Sequence, residues 1–157
     1  MLAPMSSLAG ADHRVLLGNP HGDHLSIALL GRAHPGSEDY WDGNWVLSPI
    51  AIHAGGFQGT IGATLRMDEL AKFHGELGAV YETLSGAAVL DSMEDWLKLT
   101  VRCEPSGVLA VDGIALDQAG HGNQLRFELG GLDQSHLPPV LDELEDCLLA
   151  YPVLGTR

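Results

Sequence analysis

The chain has 157 residues, with 8 Lys and Arg set against 21 Asp and Glu and a formal net charge of -13. Such acidity repels phosphate backbones and anionic lipid surfaces, which excludes nucleic-acid binding through a basic face and electrostatic adsorption to membranes. A hydrophobic share of 45% takes the chain out of the disordered class, and its length fits one domain that buries roughly two thirds of its unfolded surface.

Residues 1–12 read as a poorly ordered tail, since they carry neither the basic start nor the sustained apolar core of a secretory signal. A single domain is expected over 13–157. No stretch approaches the roughly 18 apolar residues that span a bilayer. Cys103 and Cys147 each sit in the apolar pattern of their own element, the setting of buried free thiols in a reducing compartment. A cytoplasmic location is the expectation.

Along the chain, strands are expected near 14–18, 24–32 and 44–53, with Pro49 marking an edge or a bulge. Gly55-Gly56 then forms a tight hairpin into a strand in which Phe57, Gly59, Ile61, Ala63 and Leu65 alternate with Gln58, Thr60, Thr64 and Arg66. Met67, Leu70, Phe73, Leu77, Val80, Tyr81 and Leu84 switch to helical spacing, with Asp68 and Glu69 in the first turn, where the helix dipole favours acid. Strands resume at 87–91 and at Leu97, Leu99, Val101 and Cys103, and again near 108–116, where Asp112-Gly113 signals a turn or bulge. After the turn residues Gly120-His121-Gly122-Asn123 come Leu125, Phe127 and Leu129 in alternation. A last helix runs from Leu137 through Leu144 to Tyr151, with Pro138 and Pro139 in its first turn and Pro152 closing it.

The order ββββαββββα predicts an α+β fold in two layers: an antiparallel sheet, or sheets, of about eight strands with both helices on one apolar face. The recurrence of four strands and a helix hints, at the level of pattern, at a duplicated unit.

Histidines give the first candidate chemistry. His21 and His24, with His34 and His53 further on, offer metal-ligating side chains, but zinc needs convergent ligands on a rigid frame and a loop His-x-x-His supplies neither. No metal and no cofactor are expected. The glycines at 55, 56 and 59 lead into a strand, whereas a dinucleotide fingerprint opens a helix. No Gly-x-Ser-x-Gly elbow occurs, and neither Cys has an electropositive setting. The sequence supports no catalytic residues, and a non-enzyme is expected.

Two regions carry binding character. Asp142, Glu143, Glu145 and Asp146 crowd the outer side of the last helix, a negative field suited to steering a basic partner. Asp39-Tyr40-Trp41-Asp42-Gly43-Asn44-Trp45 gathers three of the nine aromatics within six residues, between acids and a glycine turn. Aromatics flanked by charge have the composition of an interface anchor, and a hairpin whose indoles fold onto the sheet has the same composition. The expected partner-binding residues are Asp39, Tyr40, Trp41, Asp42, Asn44 and Trp45, with Asp142, Glu143 and Asp146.

The same motif resembles the opening motif of the WapI-type bacterial immunity proteins. The later segments resemble that family in their order: Gly55-Gly56-Phe57, the Leu70–Leu84 helix, Leu84-Ser85-Gly86-Ala87, Gly122-Asn123-Gln124-Leu125-Arg126-Phe127, and Asp133-Gln134 before the terminal helix. The resemblance covers about residues 24–152. It implies a small cytosolic protein that neutralises a toxin domain by tight, non-catalytic binding. The acid points to a basic protein partner, the chain acting as monomer or homodimer. Two rivals stand beside that expectation: a metal- or ligand-binding enzyme using His21, His24, His34 or His53, and a homo-oligomer joined along a sheet edge.

Overall fold

The computed structural model describes residues 12–157. The expected tail therefore lies outside the described residues, Asp12 apart. The fold is α+β, but its strands form three antiparallel sheets rather than one or two. Sheet A has the order β1(His13–Gly18), β2(His24–Leu29), β5(Ile50–Ala54), β6(Phe57–Ile61). Sheet B joins β3(Gly31–Arg32), β4(Trp45–Leu47) and β7(Thr64–Arg66). Sheet C is the meander β8(Ala87–Asp91), β9(Leu97–Cys103), β10(Leu109–Gln118), β11(His121–Leu129). Among the described residues three α-helices accompany them: α1(Tyr40–Gly43), α2(Met67–Thr83) and α3(Leu137–Ala150).

The expected order ββββαββββα fails in its first half because three of the predicted strands bend. The runs 24–32, 44–53 and 57–66 each divide between sheet A and sheet B, at Leu30, at Ser48-Pro49 and at Gly62-Ala63. Backbone bonds continue across the bend, from Ala28 N–H to the Pro49 carbonyl, Leu30 N–H to that of Leu47 and Ser48 N–H to that of Ala63. Pro49 thus marks the place where a strand changes sheet, where the missing N–H costs the ladder nothing. The buried Ser48 hydroxyl binds the corner, donating to the Val46 carbonyl at 2.8 Å and accepting from Leu65 N–H at 2.8 Å.

Sheet C follows the period-two pattern closely. In β9, Leu97, Leu99, Val101 and Cys103 are buried while Lys98 and Arg102 are exposed. Asp112-Gly113 is neither turn nor bulge; both residues pair in regular register with Glu128 and Phe127. Gly113 is small because the Phe127 ring lies over it, within 2.5 Å of where a Cβ would stand. The register shifts instead between Leu116 and Gln118.

Both long helices lie against edge strands, and this replaces the expected arrangement of two helices on one sheet face. Helix α2 packs on β8, α3 packs on β1, and the two helices touch each other. Met67, Leu70, Phe73, Leu77 and Val80 are buried along α2, each worth about 1.5–3 kcal/mol. Tyr81 and Leu84 of the predicted stripe are exposed instead, since they fall past the end of the packed face. Each helix also sends a glutamate to its edge strand: Glu76 accepts from Val89 N–H and Glu143 from Leu16 N–H, both at 2.9 Å. On the far sides of the two sheets, the edge strand β6 meets the inner strand β10 and the edge strand β11 meets the inner strand β5. Two sheets and two helices thus close a circuit around one apolar core.

Candidate functional site

The aromatic motif forms one turn of helix rather than a hairpin. Asp39 caps α1, its carboxylate accepting from the backbone N–H groups of Trp41 and Asp42 at 3.1 Å each. The motif wraps around Arg66, a residue whose importance the strand pattern concealed. Arg66 ends β7, stands opposite Trp45 in register, and is fully buried.

A buried guanidinium is tolerable only if its charge and donors are answered. Here Nη1 donates to the Trp41 carbonyl at 2.6 Å and Nη2 to the Tyr40 carbonyl at 2.7 Å. Nε lies 3.0 Å from the Asp68 carboxylate, an ion pair without the alignment of a hydrogen bond. The Tyr40 hydroxyl donates to the other Asp68 oxygen at 2.8 Å. Three rings close around the cation, with Tyr40 and Trp45 centred 5.0 Å from it and Trp41 5.6 Å from it.

Asn44 ties the C-terminal segment to this hub. Its amide nitrogen donates to the Tyr40 carbonyl at 2.8 Å and the Leu154 carbonyl at 3.0 Å, while its oxygen accepts from Leu154 N–H at 2.8 Å. Arg32 adds a second tie, donating to the Gly43 carbonyl at 2.8 Å and the Pro152 carbonyl at 2.7 Å, over the Tyr151 ring. Glu69, one residue past Asp68, caps the backbone N–H of Arg66 at 3.3 Å. Burial, reinforced by the Asp68 charge, pushes its carboxyl up to about 7 against bonds from the Arg66 and Met93 backbones.

The expected contact residues therefore divide. Asp39, Trp41 and Asp42 face outward, Trp41 at 49% exposure with Arg157 stacked 5.8 Å from its ring. Tyr40 and Trp45 are half-buried. Asn44 is fully buried with its amide consumed internally, so it holds the site together and presents nothing. On α3, Asp142 and Asp146 are exposed, as is Glu145, whereas Glu143 is half-buried on the β1 edge. Cys147 beneath them is buried, and burial followed by the nearby Glu143 and Asp146 pushes its thiol up to about 11, which leaves it unreactive.

The histidines divide as well. His24 and His53 pair across β2 and β5, their rings stacked at 5.6 Å, while His21 and His34 lie in loops. Among the described residues no three His, Cys, Asp or Glu side chains converge as metal ligands. Asp23 beside them joins two sheets: one carboxylate oxygen accepts from Gly55 N–H at 2.9 Å and the other from Gly130 N–H at 2.8 Å. These two bonds hold its carboxyl below the usual range.

No helix among the described residues is long and apolar enough to cross a membrane. A family model described as the immunity protein WapI-like family matches residues 16–152. No curated protein and no solved structure matches the chain.

Proposed function

Because the chain belongs to the immunity protein WapI-like family, we propose that it neutralises a bacterial toxin domain by direct, non-catalytic binding in the cytoplasm. The family match across residues 16–152 carries this reading. The net charge of -13 gives the partner its sign: a basic toxin surface associates fast with a strongly negative one and loses that advantage in salt.

The contact surface in this reading comprises Asp39, Trp41 and Asp42, the outer edges of Tyr40 and Trp45, and Asp142 and Asp146 on α3. Trp41 supplies the anchor, because a half-exposed indole held from behind by Arg66 loses little entropy on binding. Asn44 and Glu143 support that surface through the bonds they make inside the protein.

The test is co-expression with candidate toxin domains, scored by growth rescue, followed by calorimetry on the pair that responds. Association is expected to slow steeply between about 50 and 500 mM salt, as the Debye length shrinks. A complex indifferent to salt removes the electrostatic part of the reading. Rescue that requires turnover of the toxin removes the non-catalytic part.

A further inference from the structure

Sheets A and C meet along a seam where β6 contacts β10 and β5 contacts β11. Along β6, Phe57 stands opposite Ala54, Gly59 opposite Ile52 and Ile61 opposite Ile50. These three therefore point to the inner face of sheet A, where Ala54, Ile52 and Ile50 are buried. Gly59 adopts no left-handed backbone, and a Cβ placed on it meets nothing within 4 Å.

The absent side chain contributes to a cleft of about 310 Å³ between β6 and the β10–β11 hairpin. Ile52, Ile61, Ala115 and Leu125 wall it, and Asp117 and Asn123 stand among its lining. A second cleft, of about 510 Å³, shares Leu125 and carries Phe57 at 70% exposure. Glycine weakens a strand, and where its own fold does not require it, it commonly marks the close approach of another group. Asn123 donates to the Asp117 carboxylate through its backbone N–H at 2.7 Å and its side-chain amide at 2.8 Å. Those bonds hold the carboxyl below its ordinary range, so it is anionic at neutral pH.

We propose that this cleft receives one Lys or Arg side chain of the toxin domain, its methylene stem along Ile52, Ile61 and Leu125 and its cationic head at Asp117. The proposal rests on the toxin-binding reading and adds a second contact region, on the opposite side of sheet A's order from the edge that α3 covers. The chemistry selects the occupant. An apolar trench with a carboxylate among its lining matches a long aliphatic cation. An acidic side chain is repelled by Asp117, and the net charge of -13 favours a cation further.

Two titrations of the full chain test it. With n-butylguanidinium as probe, amide shifts are expected at Gly59, Asn123 and Leu125, with a dissociation constant on the order of 1 mM or weaker for so small a ligand. Gly59→Ile fills the cleft with a β-favouring side chain, so it is expected to hold or raise Tm while abolishing those shifts; Asp117→Asn is expected to weaken them. Shifts spread evenly over the acidic surface, or unchanged in Gly59→Ile, overturn the proposal. With the toxin domain that wild type neutralises on co-expression, Gly59→Ile is expected to weaken binding by about thirtyfold or more, the effect of losing a central anchor. Wild-type affinity in that variant overturns the cleft and leaves neutralisation standing. A chain that neutralises no toxin overturns neutralisation, and the butylguanidinium titration still decides the cleft.

Discussion

Around Arg66, the charge is answered from inside the molecule: two carbonyls, a carboxylate and three rings converge on one guanidinium. Around Gly59 the reverse holds, with apolar walls and an anionic Asp117 facing a cleft that no side chain fills. The difference separates two uses of conspicuous residues. A dense aromatic motif is here first a device for burying a cation, and only its outward faces remain for a partner. An inconspicuous strand glycine leaves the open volume.

That contrast predicts its largest effect at Arg66. Replacing it with Met leaves Asp68 and two carbonyls facing an apolar side chain, and unfolding in urea is expected to show a loss of about 3–5 kcal/mol. A loss below about 1 kcal/mol would mean that the hub is not what holds the motif. Asn44→Ala comes next, at about 2–3 kcal/mol for the three bonds removed within a buried site. Its specific signature is lost hydrogen-exchange protection at the Leu154 amide, which a general loosening would not single out.

Much of the fold can be read from local pattern. The strands 87–91 and 97–103 have their sequence-predicted bounds, because one face of each meets a single continuous core. The bend at Ser48-Pro49 does not interrupt the alternation, since Val46, Ser48 and Ile50 are buried on both sides of the corner. Which sheet each half of a bent strand joins is a matter of distant partners, and even Pro49 marks only where a strand turns, not what it turns toward. The same holds at the site. Tyr40, Trp41 and Trp45 stand out by composition, whereas Arg66 sits on the polar face of a strand pattern and looks solvated. Its burial depends on carbonyls 25 and 26 positions away along the chain. The Gly59 cleft exists only once β10 and β11 are placed opposite it.

Glu69 lets pH probe the closed region alone. Its carboxyl titrates at about 7 in the folded protein against 4.5 as the reference value. The folded state thus holds this proton more tightly than the unfolded chain does. Stability from this group is complete below about pH 4.5, falls as pH rises toward about 7, and levels off above that. Solvent screening of a partly exposed carboxyl limits the fall to about 1–2 kcal/mol. Glu69→Gln is expected to flatten that slope. Asp23, Asp117 and Asp133 have carboxyls shifted downward from 3.8, so their stabilisation is lost only as pH falls below that range. A slope between pH 5 and 7 that survives Glu69→Gln would assign it to some other group.

The smallest expected effect lies at the edges. Glu76 and Glu143 each satisfy one N–H on an edge strand beneath a helix, and replacing either with Ala is expected to cost about 1 kcal/mol, the net worth of one such bond. Their informative consequence is in association rather than stability. An unsatisfied strand edge is a template for pairing with another chain, but at β8 and β1 the packed helices still bar access. Light scattering of the double variant Glu76→Ala/Glu143→Ala should therefore report the same mass as wild type. Self-association in that variant would mean that the two glutamates, and not the helices, keep these edges closed. The distinction between sealed edges and an open seam would then rest on two hydrogen bonds instead of on packing.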